Sequence, residues 1–75
     1  MLSREPQLLA QLTQRESQVL RLLAAGLSSK EVAQELAIAP RTVERYIDQV
    51  RLKTRARNRT HMVVEAIRIG LITPA

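Results

Sequence analysis

The sequence predicts an all-α domain of four helices with a helix-turn-helix at its centre, and three observations predict it. Apolar residues recur at helical intervals in successive segments, with no strand-type alternation. Two segments open with the capping-box spacing, Thr13 with Glu16 and Ser28 with Glu31. A short helical segment is followed, after a tight turn, by a longer one. At 75 residues the chain has room for a single core, and 45% apolar with 25% charged residues fits a globular chain rather than a disordered one.

Residues 1–12 (MLSREPQLLAQL) read as an N-terminal extension or linker with a helical turn after Pro6; 13–72 read as the domain and 73–75 as a tail. The first helix starts at the Thr13 cap, carries Val19, Leu20, Leu22 and Leu23 at helical intervals, and stops at Gly26. The second starts at Ser28 and gathers Val32, Ala33 and Leu36 on one face. Ala37-Ile38-Ala39 makes the break. Pro40 suits the first turn of the third helix, which runs to about Lys53, because its missing N–H has no intrahelical partner there. Asn58 caps a fourth helix that ends near Ile69 and is closed by Gly70.

Composition excludes whole classes of function. Without cysteine there is no disulfide scaffold, no thiol nucleophile and none of the common zinc modules. His61, the single histidine, rules out a histidine-rich metal site, and no cofactor is expected. No apolar run approaches a membrane span and no signal peptide leads the chain, so a soluble cytoplasmic domain is expected. No catalytic constellation is visible, so an enzyme is not expected.

Charge is unevenly placed. Between Arg41 and Arg59 lie seven basic residues (Arg41, Arg45, Arg51, Lys53, Arg55, Arg57 and Arg59) against Glu44 and Asp48, which is the whole net charge of +5. Outside that stretch five basic residues balance five glutamates. A localised basic stretch on a neutral domain is the footprint of a polyanionic partner, or else simply a solvated face. On a helical wheel Val43, Ile47 and Val50 face inward, while Arg41, Arg45, Asp48, Gln49 and Leu52 lie opposite. Arg41 and Arg45 stand near the N-terminal end, the part of a recognition helix that reaches base edges in the major groove.

The segment LTQRESQVLRLLAAGLSSKEVAQELAIAPRTVERYIDQVR, followed by NRTHMVVEAIRIGLI, resembles the LuxR-type (also GerE- or FixJ-type) DNA-binding domain of bacterial transcription regulators. The match runs ungapped from Leu12 to Ile72 and joins LTQRE, GLSSKEVA, Thr42-Val43, Asn58-Arg59-Thr60 and Gly70-Leu71-Ile72 in order. The resemblance implies a four-helix fold whose third helix enters the major groove of double-stranded DNA and whose fourth supports a homodimer. It places Glu44, Arg45 and Asp48 at base-contacting positions, and Lys30, Thr42 and Lys53 at positions that meet phosphates. Arg59 takes a structural place at the start of the fourth helix. RNA polymerase is a further partner expected of such a regulator.

With the wheel, these become the expected sites. Arg41, Glu44, Arg45, Asp48 and Gln49 read bases, Arg45 through the O6 and N7 of a guanine. For Glu44 and Asp48 two readings stand: acceptors for cytosine N4, or intrahelical partners that orient the arginines. Ser29, Lys30, Thr42, Tyr46, Arg51, Lys53, Arg55 and Arg57 are the expected phosphate contacts, with the Tyr46 ring packing inward. On the fourth helix, Met62, Val63 and Ala66 face the domain, which leaves Thr60, Val64, Ile67, Arg68 and Leu71 as an expected dimer strip. An interaction module that pairs with a longer relative and blocks it is the alternative function.

The sequence also departs from the family pattern. Ala39 stands where a serine usually caps the third helix, Glu44 replaces a frequent lysine and Tyr46 a frequent histidine. The usual Lys-Leu-Gly-Val becomes Lys53-Thr54-Arg55-Ala56, which turns a threonine hydroxyl inward and Leu52 outward. The end of the third helix is therefore expected to be a soft spot.

Overall fold

In the computed structural model, which describes residues 12–70 and 72, helix starts fall where a side chain or a proline relieves the first unpaired N–H groups. Helix α1 spans Gln14–Ala24, α2 Ser29–Leu36, α3 Pro40–Lys53 and α4 Arg59–Arg68; no strand occurs among the described residues. Both predicted capping boxes are formed. Thr13 Oγ1 accepts from the Glu16 N–H at 3.1 Å while Glu16 Oε1 accepts from the Thr13 N–H at 2.8 Å. Ser28 and Glu31 repeat the exchange at 3.2 and 2.8 Å, and the Ser28 N–H holds the Glu31 carboxyl below its ordinary range. Asn58 Oδ1 caps α4 by accepting from the His61 N–H at 2.9 Å.

The first three helices share one kind of stop: a left-handed residue followed by an N–H that bonds five residues back. The Leu27 N–H reaches Leu22 O at 3.1 Å, that of Ile38 reaches Ala33 O at 3.0 Å, and that of Ala56 reaches Arg51 O at 3.0 Å. The left-handed residue is Gly26 after α1 (φ 102°), Ala37 after α2 (φ 56°) and Arg55 after α3 (φ 57°). Gly70 follows α4 at φ 79°, as expected of a closing glycine.

α3 lies against α1, α2 and α4, and its inward residues Val43, Ile47 and Val50 are buried. Around them close Val19, Leu20 and Leu23 of α1, Val32 and Ala33 of α2, and Met62 and Ala66 of α4. Leu36 and Ile38 pack against this core and fix the turn between α2 and α3. Leu12, assigned above to the extension, also packs on it, while residues 1–11, 71 and 73–75, including the turn expected after Pro6, lie outside the described residues.

Thr54 is not an unpaired polar intrusion. Its buried hydroxyl donates to Val50 O at 2.8 Å, so burial leaves no hydrogen-bonding deficit. Its neighbour Arg55 carries a Cβ into the left-handed region at φ 57°, a conformation that favours glycine.

Candidate nucleic-acid interface

With one face of α3 locked into the core, the other is fixed in space. Arg41, Glu44, Arg45, Asp48, Gln49 and Leu52 are all exposed along it. Arg41, Arg45, Asp48 and Leu52 form a straight strip, successive members three or four residues apart. The charged members have no ion pair or side-chain hydrogen bond among the described residues. Glu44 and Asp48 therefore do not orient the arginines through intrahelical pairs. All four charges face solvent, available to an external partner.

Flanking this strip, Thr42, Tyr46 and Arg51 are half-buried. The Tyr46 ring packs on the core and its hydroxyl has no partner among the described residues. Lys30, Arg55 and Arg57 are exposed. The Arg57 N–H is taken up by His61 Nδ1 at 2.9 Å, a loop contact for which the sequence offered no sign. Arg59, expected to be structural, is exposed and makes no side-chain hydrogen bond or ion pair among the described residues.

Two expected phosphate contacts are placed differently. The Ser29 hydroxyl oxygen is buried without a hydrogen-bond partner, so it does not face the surface on which Lys30 stands. Lys53 Nζ lies 2.7 Å from Glu16 Oε1, and that carboxylate is on a side chain only 2% exposed. Glu16 sits at the inward register of α1 with Val19, Leu20 and Leu23. A carboxylate on an apolar stripe needs a cationic partner, and that was the signal from which this tie could be read. Burial alone pushes the Glu16 carboxyl up, but the bonds from Lys53 and the Thr13 N–H together outweigh it and hold the group below its ordinary range. Lys53 thus ties the end of α3 to the start of α1, and much of its charge is spent inside the molecule.

On α4, Met62 and Ala66 are buried as expected, and Val63 is half-buried. Of the expected dimer strip, Val64 is 54% exposed and Thr60 is exposed, whereas Ile67 packs against the core. Ile67 is therefore not the unpartnered residue the wheel suggested. Arg68 holds Glu65 through two contacts at 3.0 and 3.1 Å, which draw the Glu65 carboxyl below its ordinary range, and Leu71 lies outside the described residues. A groove of about 280 Å³, lined by Leu23, Leu27, Arg59, Thr60, Val63 and Val64, runs between α4 and the end of α1. Among the described residues no group of His, Cys, Asp or Glu is placed to hold a metal, and no helix is long and apolar enough to cross a membrane.

A short helix, a three-residue turn and a longer helix with a solvent-facing polar strip define a helix-turn-helix domain. Residues 10–66 match the family of bacterial regulatory proteins of the luxR type (GerE). The chain is 43% identical over 61 residues to a probable transcriptional regulator, ycf29, of Cyanophora paradoxa, covering 81% of this chain and 29% of that protein. It is also 43% identical over 63 residues to the transcriptional regulatory protein FixJ of Bradyrhizobium diazoefficiens, covering 84% and 31%. The same identity holds over 67 residues of the transcriptional activator protein SolR of Ralstonia nicotianae, covering 89% and 28%. The chain belongs to the luxR family, and it spans less than a third of the length of these relatives. Membership makes it a DNA-binding domain of the kind found in transcription regulators.

Proposed function

We propose that this domain is a sequence-specific, double-stranded-DNA-binding transcription regulator in which α3 reads the major groove and α4 joins two copies. The observation that carries the proposal is the strip Arg41, Arg45 and Asp48, with Glu44 and Gln49 beside it: exposed, unpaired among the described residues, and rigid because the opposite face of α3 is buried. Arg45 takes a guanine, and the carboxylates of Glu44 and Asp48 take cytosine amino groups. Lys30, Thr42, Tyr46, Arg51, Arg55 and Arg57 supply the sequence-independent attraction to phosphates.

Selection of duplexes from a random pool tests this reading. One enriched sequence, bound with an affinity that falls steeply as salt rises, is the expected result. A protein that enriches no sequence but pairs with a longer relative is the interaction module instead. The α4 pairing has its own test. Two copies related by a two-fold axis bury Val64 against the groove beside it and set their α3 helices toward half-sites about one DNA turn apart. Val64→Asp is expected to abolish cooperative filling of two half-sites and to leave the circular-dichroism melt unchanged, because this side chain is mostly solvent-facing. Cooperativity that survives in the variant rules the pairing out.

A further inference from the structure

Two large apolar side chains stand strongly exposed among the described residues: Leu52 at 68% and Val64 at 54%. Val64 borders a groove on the face proposed for a second copy. Leu52 has no such account. It lies on the outer strip of α3, four residues beyond Asp48 and seven beyond Arg45, which brings it back to the same angular position. It contributes nothing to the core, because Val50 and Thr54 hold the inward places on either side of it.

The surroundings of Leu52 limit what it fits. Along the strip and beside it stand Arg45, Asp48, Gln49 and Arg51, none with a side-chain partner among the described residues. One leucine among unpaired polar groups is far too small a patch for a stable protein interface. It matches the size of a single methyl group. Base edges in the major groove are lined with hydrogen-bond donors and acceptors, and the one apolar feature among them is the 5-methyl of thymine.

Taking α3 as the DNA-reading helix, we propose that Leu52 reads a thymine methyl on the far side of the pair read by Arg45. Seven residues of helix advance about 10 Å, and base pairs follow every ~3.4 Å, so the two positions are about three base pairs apart. This arrangement lays α3 along the groove over most of its length instead of admitting its first turn alone.

The test uses the whole chain and the sequence recovered from the random pool. Each thymine of that sequence is replaced singly by deoxyuridine, which removes the methyl and keeps the hydrogen-bonding edge. Binding is then measured for the wild type and for Leu52→Ala, which leaves the core untouched. One thymine in each half-site is expected to lose about fourfold in wild-type affinity on replacement, the worth of one methyl group withdrawn from water, and to lose nothing in Leu52→Ala. Loss at no thymine, or losses of equal size in both proteins, overturns the inference and leaves sequence-specific binding standing, because a sequence was still enriched. A pool that enriches nothing overturns both. Altered self-association of Leu52→Ala with an unaltered response to the methyl assigns the side chain to a protein contact and also overturns it.

Discussion

Helices α1 and α3 pack against each other and are built on opposite terms. α1 is specified at both ends by its own sequence: Thr13 and Glu16 close its start and Gly26 its stop. α3 has neither device. Its N-cap is Ala39, with no side-chain bond, and its stop is Arg55 at φ 57°. What holds α3 is tertiary: Val43, Ile47 and Val50 in the core, and the Lys53–Glu16 tie to α1. Most helical stability in small proteins comes from such packing rather than from local preference. The difference teaches why the outer face of α3 is free to carry unpaired charges: nothing on that face is needed to keep the helix in place.

The comparison breaks most severely at the tie. Glu16→Ala removes the acceptor of the Thr13 N–H and the buried carboxylate that Lys53 binds, and is expected to cost about 2–3 kcal/mol by urea denaturation. Lys53→Ala leaves the carboxylate buried without its cation and is expected to destabilise in the same direction; a loss confined to DNA affinity, with an unchanged melt, would restore Lys53 as a phosphate contact. The tie also carries a pH signature. Glu16 is held below its ordinary value of 4.5 in the folded chain, so its contribution is complete above that value and is lost as pH falls through the folded one. The wild-type urea midpoint is expected to fall more steeply below about pH 4.5 than that of Glu16→Ala.

Smaller changes sharpen the comparison by giving α3 what α1 already has. Ala39→Ser supplies the missing cap and is expected to add about 1 kcal/mol. Arg55→Gly relieves the left-handed residue and is expected to add roughly 0.5–1 kcal/mol, read as a rise in melting temperature. Ala37→Gly, at the same conformation after α2, is the control without a charge change. If only Arg55→Gly stabilises, charge and not backbone strain is the cause.

The contrast also explains what was legible in the sequence. Caps written into neighbouring residues, such as Thr13 with Glu16 or Ser28 with Glu31, announce helix starts, and glycines announce stops. The stops at Ala37 and Arg55 carry no glycine of their own, although the family pattern has one at the place of Arg55. The outer face of α3 followed from periodicity once its inner face was identified. The Glu16–Lys53 tie did not, since it joins residues 37 apart and Glu16 already had a role in its capping box. Ile67 was misplaced for a related reason: a wheel gives angles around a helix but not how far the neighbouring helices reach.

The central claim, that α3 separates into a face that holds and a face that reads, is tested most directly by one pair of selections. Wild type and Arg45→Ala are each selected against the same random duplex pool at fixed salt, and affinity for the enriched and for an unrelated duplex is measured. Arg45→Ala is expected to fold with the wild-type melt and to lose about 1–3 kcal/mol of discrimination at one base pair, with binding to the unrelated duplex little changed. An Arg45→Ala protein that recovers the same preferred sequence with the same discrimination would contradict the claim.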